Sequence, residues 1–175
     1  LYLFLDGARL GAALASSAND LTLADIAALT DVFYIGGTKN GALFGEAVVI
    51  LNPQIDQDFR YMIKQRGGML AKGWLLGIQF ETLFTDGLFY EMAGHASRLA
   101  DRLRAGLEER GFSFYSRSVS NQLFPIFSDE LIEKLSADFS FNIQARIDDS
   151  HQAIRLVTSW ATREEAVDAL LRALD

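Results

Sequence analysis

Two short apolar runs do most to limit what this chain can become: LYLFL at residues 1–5 and VFYI at residues 32–35. Each is continuous rather than alternating, the pattern of a strand covered on both faces, and each ends in turn chemistry, Asp6-Gly7 and Gly36-Gly37. Between them, Leu10–Ala15 is alanine-rich and reads as helix. NDLTLADIAALTD then offers Thr22 with Asp25 three residues on, a capping-box pattern, with Leu23, Ile26, Ala27 and Leu29 as the expected buried face. Strand, helical crossover, strand is a βαβ unit, so the two strands are expected to be parallel and the crossover right-handed. A third run, Glu46–Leu51 (EAVVIL), follows too soon for a helical crossover. It is expected to return antiparallel, with residues 36–45 as the loop.

Beyond Pro53 the texture is helical. Gln54–Gln65 reads as one polar helix with Phe59, Met62 and Ile63 on its apolar side, and GWLLGIQFETLF as a helix buried on most sides that stops near Asp86-Gly87. Met92, Ala96, Leu99, Ala100, Leu103 and Leu107 repeat with a helical period between Tyr90 and Arg110, and Gly111 stands where a helix-terminating glycine belongs. Phe112–Tyr115, Gln122–Phe127 and Ala153–Thr158 read as strands, and DELIEKLSADF as a helix. A last helix is expected from Thr162, with Glu165 as its capping-box partner and Val167, Leu170, Leu171 and Leu174 facing inward. The pattern divides into an α/β part, residues 1–86, and a connecting helix with a small α+β domain, residues 87–175.

Composition narrows the function classes. Half of the 175 residues are hydrophobic and 22% are charged, a globular balance. The net charge of −7 disfavours a nucleic-acid or anionic-membrane surface, which needs clustered Lys and Arg. No apolar run approaches the ~20 residues of a membrane helix. The absence of cysteine rules out a disulfide framework, a thiolate metal site and a cysteine nucleophile, and fits a reducing, cytoplasmic setting. The chain opens inside an apolar run, as expected of the C-terminal part of a longer protein.

In open α/β sheets, ligands sit outside the carboxyl ends of the strands. Two parallel strands here each end near an ionisable group, Asp6 after the first and Lys39 after the second. Taken singly, Asp6 reads as an Asp-Gly turn and Lys39 as a loop lysine among glycines. Together, with Arg9 three residues beyond Asp6, they form a candidate constellation at one sheet edge. Arg155 reads singly as a strand arginine, though flanking Ile154, Leu156 and Val157 make a wasted charge on that strand unexpected. His95 and His151 read as structural residues without a partner. GGTKNGALFG is not a phosphate loop, because no Lys-Ser/Thr opens a helix after it.

LDGARL, then YIGGTKNGALFGEAVVI some thirty residues on, then SNQLF and AIRLVTSW, resemble in order the C-terminal half of the β-eliminating lyase/threonine aldolase family. The resemblance implies a pyridoxal-phosphate (PLP) enzyme of fold type I: part of a three-layer αβα large domain followed by a small C-terminal α+β domain. It implies cleavage of a β-hydroxy-α-amino acid such as threonine to glycine and an aldehyde. An aminotransferase or another β-eliminating lyase is the alternative, and a fragment inactive without its N-terminal half the non-enzymatic one. Lys39 would hold the cofactor as a Schiff base, which needs a neutral amine, and an apolar, glycine-lined setting would favour that form by desolvation. The glycines would let a flat cofactor come close. Asp6 would pair with the pyridine nitrogen, Arg9 would lie near the cofactor and substrate, and Arg155 would bind the substrate carboxylate. The family often carries an arginine after Gly-Gly-Met, where this chain has Leu70. Lys72 or Arg66 would substitute, or else be a solvated helix-end charge, the plainer reading. Family members assemble as homodimers or homotetramers, with shared active sites.

Overall fold

A computed structural model describes all 175 residues, which separate into two compact units: Leu1–Ala15 with Asn19–Ala93, and Ser16–Ala18 with Gly94–Asp175.

The first unit is built on a three-stranded sheet, β1 (Phe4–Leu5), β2 (Val32–Gly36) and β3 (Glu46–Ile50), in that spatial order. β1 and β2 are parallel, with Leu5 beside Phe33; β2 and β3 are antiparallel, with Gly36 opposite Glu46. The crossover carries α1 (Leu10–Leu14) and α2 (Leu23–Leu29). The α2 capping box forms as expected: Thr22 accepts from the Asp25 backbone N–H, and the Asp25 carboxylate accepts from the Thr22 N–H at 2.7 Å. Leu10, Phe33, Ile35, Leu83 and Phe89 make the core, Phe33 and Phe89 almost wholly enclosed. A side chain of that size contributes about 1.5–3 kcal/mol when fully buried.

Several expectations fail in this unit, most for the same reason. The first run is a strand over two residues only, and it is not covered on both faces: Phe4 is 61% exposed. Leu29 is 61% exposed, so the buried face of α2 is narrower than its periodicity implies. α5 (Trp74–Phe84) encloses only Leu83, while Trp74, Leu75 and Ile78 stand open. Periodicity reports which side chains want cover, and nothing in this chain supplies it. The expected single helix at 54–65 is two, α3 (Pro53–Asp56) and α4 (Phe59–Gln65). Asp58 between them adopts φ +58°, a left-handed conformation that breaks the helical hydrogen-bond ladder. α5 ends as expected, with Asp86 and Gly87 both at positive φ.

α6 (Leu88–Glu109) contributes Leu88–Ala93 to the first unit and Gly94–Glu109 to the second. It ends as expected at Gly111, φ +78°, where the Phe112 N–H reaches back to the Leu107 carbonyl at 3.1 Å. The second unit holds an antiparallel sheet of β4 (Phe114–Ser116), β5 (Gln122–Ser128), β6 (Asn142–Arg146) and β7 (His151–Val157), in the order β4-β5-β7-β6. With it come α7 (Asp129–Leu135) and α8 (Glu164–Ala173). The core gathers Leu99, Leu103 and Leu107 of α6 with Leu123, Phe127, Leu135, Ile154, Val167 and Leu170. β6 was not anticipated, because its only large apolar residue, Ile143, is half exposed and gives no strand signal. The capping box expected at Thr162 does not form. Thr162 Oγ1 instead accepts from the Ser159 N–H at 2.8 Å, and α8 starts after Arg163 with no side-chain cap.

Candidate functional site

At the carboxyl ends of β1 and β2 the two backbones approach closely. A Cβ on Gly7 would fall 1.6 Å from the Tyr34 carbonyl oxygen, and one on Gly36 2.4 Å from that of Ala8. The Gly36 N–H donates to Gly7 O at 2.9 Å, closing the gap. This contact brings Asp6 level with Tyr34, one register step beyond the Leu5–Phe33 pair.

The Tyr34 hydroxyl donates to Asp6 Oδ1, and the Ala8 N–H donates to the same oxygen at 3.0 Å. Oδ2 has no partner in the chain. The tyrosine hydrogen bond, then the Ala8 N–H, and to a lesser degree the nearby Lys39 ammonium, hold the Asp6 carboxyl below the ordinary carboxylate range. In return, the hydrogen bond and charge of Asp6, with a further push from Glu46, raise the Tyr34 phenol above its usual value. The shared proton therefore stays on the tyrosine, and Asp6 is an anion. A carboxylate with one oxygen anchored and one free suits a protonated ring nitrogen.

Lys39 lies in a single turn of 3₁₀ helix, Thr38–Asn40. The turn is fixed on both sides. The Gly37 N–H donates to Glu46 Oε2 at 2.9 Å, and Asn40, 7% exposed, donates through Nδ2 to the Phe89 carbonyl at 2.9 Å. Gly41, at φ +103°, carries the chain out against Met92. Lys39 itself is exposed, not set in the desolvating pocket that its apolar neighbours implied. Nor do the surrounding glycines hold open a slot: Gly36 lies against the Ala8 backbone, Gly37 against Gly45 and Gly45 against Leu76. Arg9 occupies the N-cap position of α1, half-buried, without a hydrogen bond to any side chain.

Arg155 belongs to the second unit. It sits on β7 opposite Asn142 of β6 and borders a cavity of about 300 Å³ with Phe139, Phe141, Thr158 and Val167. Its Nε–H is buried and has no acceptor within the chain. A buried donor without a partner costs about 1–3 kcal/mol, and a carboxylate is the ligand best able to satisfy a guanidinium. The residues thus fit the cofactor and substrate groups expected of them: a fixed anion, an accessible amine and an unsatisfied guanidinium.

Both histidines do have partners, contrary to expectation. His95 Nε2 lies 2.7 Å from the Thr162 carbonyl, and His151 Nδ1 lies 3.0 Å from both Asp148 Oδ1 and Ser150 Oγ. The His151 bonds are local, whereas His95 ties α6 to the loop before α8; both are structural. Sequence reading missed Tyr34, Asn40 and Glu46. The first was within reach, since a parallel register read one step further sets Tyr34 beside Asp6.

No protein-family model matches the chain. A low-specificity L-threonine aldolase of Pseudomonas aeruginosa is 33% identical over 174 residues, 98% of this chain and 49% of that protein. The solved structure of Leishmania major threonine aldolase superposes with a TM-score of 0.97 at 52% identity, covering 99% of this chain and 51% of that one. Its homologues are threonine aldolases. The chain spans about half the length of these relatives and aligns with the C-terminal half. More distant structures share the fold. A serine palmitoyltransferase of Sphingomonas wittichii, 15% identical, superposes with a TM-score of 0.67, covering 98% of this chain and 45% of that one. The fold is that of the PLP-dependent, fold type I enzymes.

Proposed function

We propose that this chain supplies the lysine, the acid and two arginines of a PLP-dependent aldolase that cleaves a threonine-like β-hydroxy-α-amino acid to glycine and an aldehyde. The observation that carries the reading is an Asp6 held ionised by Tyr34 and Ala8 at the same sheet end as the turn that bears Lys39. PLP, when bound, supplies an electron sink conjugated to the substrate's α-carbon. Lys39, exposed on its turn, would hold the cofactor's aldehyde and, once released as a free amine, would serve as a base. Asp6, an anion with one oxygen free, would pair with the ring nitrogen and favour its protonated form. Arg155 would bind the substrate's carboxylate, which would satisfy its buried Nε–H, and Arg9 would lie near the cofactor. Similarity at 52% identity to a threonine aldolase along the whole of this chain supports this choice over an aminotransferase.

We further infer a cytoplasmic homodimer or homotetramer. Exposed apolar side chains such as Trp74 and Leu70 support association, the lack of cysteine fits a reducing compartment, and no helix is long and apolar enough to cross a membrane.

The test uses the full-length protein. It should purify with an absorbance band near ~420 nm that borohydride abolishes, and Lys39→Ala should lose that band. Added L-threonine should yield glycine and acetaldehyde. A band unchanged in Lys39→Ala sinks the lysine assignment; formation of a keto acid instead of acetaldehyde points to an aminotransferase.

A further inference from the structure

Asp6 stands at the end of a two-residue strand, with its carboxylate open to solvent and only one oxygen tied to the protein. A short exposed side chain of that kind has two rotatable bonds and no packing to hold it. What does hold it comes from the next strand. Tyr34 lies inside β2, between Phe33 and Ile35, which are both core residues, so its backbone is fixed by the sheet. Its ring leans on Phe4 of β1, centroid to centroid 6.1 Å. Its hydroxyl therefore arrives at Asp6 from a rigid base, and together with the Ala8 N–H it claims Oδ1.

We propose that Tyr34 is a positioning residue for Asp6: its hydroxyl fixes Oδ1 so that Oδ2 is the oxygen presented to the cofactor's ring nitrogen. This rests on the reading of Asp6 as the acid that pairs with PLP. Tyr34 touches neither substrate nor cofactor on this account; it acts through the carboxylate. The charges around the pair are consistent with that division of labour. The Lys39 ammonium, on the turn after β2, lowers the Asp6 pKa slightly through its charge, and the Glu46 carboxylate on β3 likewise acts on Tyr34 through its charge. Both keep the negative charge on the aspartate and the proton on the phenol.

The sign of the pH effect follows. Tyr34 is the largest influence lowering the Asp6 pKa. Removing its O–H lets that pKa rise, so Asp6 becomes protonated at a higher pH than before. PLP retention by full-length Tyr34→Phe should then fail at higher pH on acidification than in the unaltered protein. Its dissociation constant for PLP at neutral pH should rise about tenfold, the usual effect of losing a hydrogen bond to a charged group. Asp6→Asn serves as the reference. If Asp6→Asn weakens PLP binding while Tyr34→Phe leaves both the affinity and the acid limb unmoved, the positioning role is wrong and the role of Asp6 stands. If Asp6→Asn binds PLP as the unaltered protein does, the reading of Asp6 fails and takes this inference with it. Should Tyr34→Phe not fold, carboxyl-labelled aspartate in the unaltered protein decides the matter. The resonance missing from Asp6→Asn should titrate below the ordinary aspartate range, and a titration at or above that range overturns the proposal.

Discussion

Single residues at the junction of β1 and β2 carry the geometry on which the candidate site depends. Gly36 is the clearest. Its Cα faces the Ala8 backbone so closely that a methyl group would lie 2.4 Å from the carbonyl oxygen, and backbone cannot swing aside as a flexible side chain can. Gly36→Ala in the full-length protein should therefore force the strand ends apart. Overpacking of this kind costs about 1–3 kcal/mol, which a shift in the urea unfolding midpoint would reveal. The PLP band should weaken with it, because Asp6 and Lys39 are carried on the two strands being separated. An unchanged midpoint would mean that the junction is looser than described. The sequence places Asp6 and Lys39 at strand ends, Arg9 three residues beyond Asp6, and Arg155 between apolar neighbours. What sequence could not convey was their setting. The glycines around Lys39 were expected to make room for a ligand, yet each is used against the chain's own backbone or side chains, and Lys39 is left exposed. Glycine spacing says that something comes close, without saying what.

Elements were readable where local rules decide them. The capping box at Thr22, the glycine stop at Gly111 and the parallel-then-antiparallel order of β1, β2 and β3 rest on interactions within a few residues or on loop length. α8 shows how such rules fail. Thr162 has the spacing of a cap, but the turn at Ser159 captures its hydroxyl, and the helix begins one residue later behind Arg163. Arg163 has the extended backbone of an N-cap, φ −87° and ψ 146°, yet its side chain has no oxygen to accept from the free N–H groups of the first turn. Its positive charge also faces the positive end of the helix dipole. Arg163→Asp should correct both, and stabilise the full-length protein by about 0.5–2 kcal/mol, the range measured for a good N-cap. Thermal unfolding would register this as a rise in midpoint. A fall would mean that Arg163 has a favourable contact that outweighs the cap.

On the scale of the whole chain, the helical and strand periodicities call for more cover than 175 residues provide. The surface of the first unit has an open cleft of about 1030 Å³ over β3, bordered by Val48, Met69, Leu70 and Trp74, all of them exposed large apolar residues. Leu1, Tyr2 and Leu3, leading into exposed Phe4 of β1, add an apolar segment, and the outer edge of β1 pairs with no strand here. Contiguous apolar surface on this scale marks a place where another protein surface belongs, and an unpaired strand edge is a template for association. The net charge of −7 opposes self-association only weakly at physiological salt, where repulsion between exposed charges is screened beyond ~8 Å. This chain produced alone should therefore sediment as associated species whose size grows with concentration. Trp74→Glu, which places a charge in the cleft, should lower that association. Trp74 is 64% exposed, so the change should leave the unfolding midpoint within the ~0.5 kcal/mol typical of surface substitutions. A chain that stays monomeric across a wide concentration range, or a Trp74→Glu variant that associates as strongly as its parent, would show that the cleft is not a surface that seeks a partner.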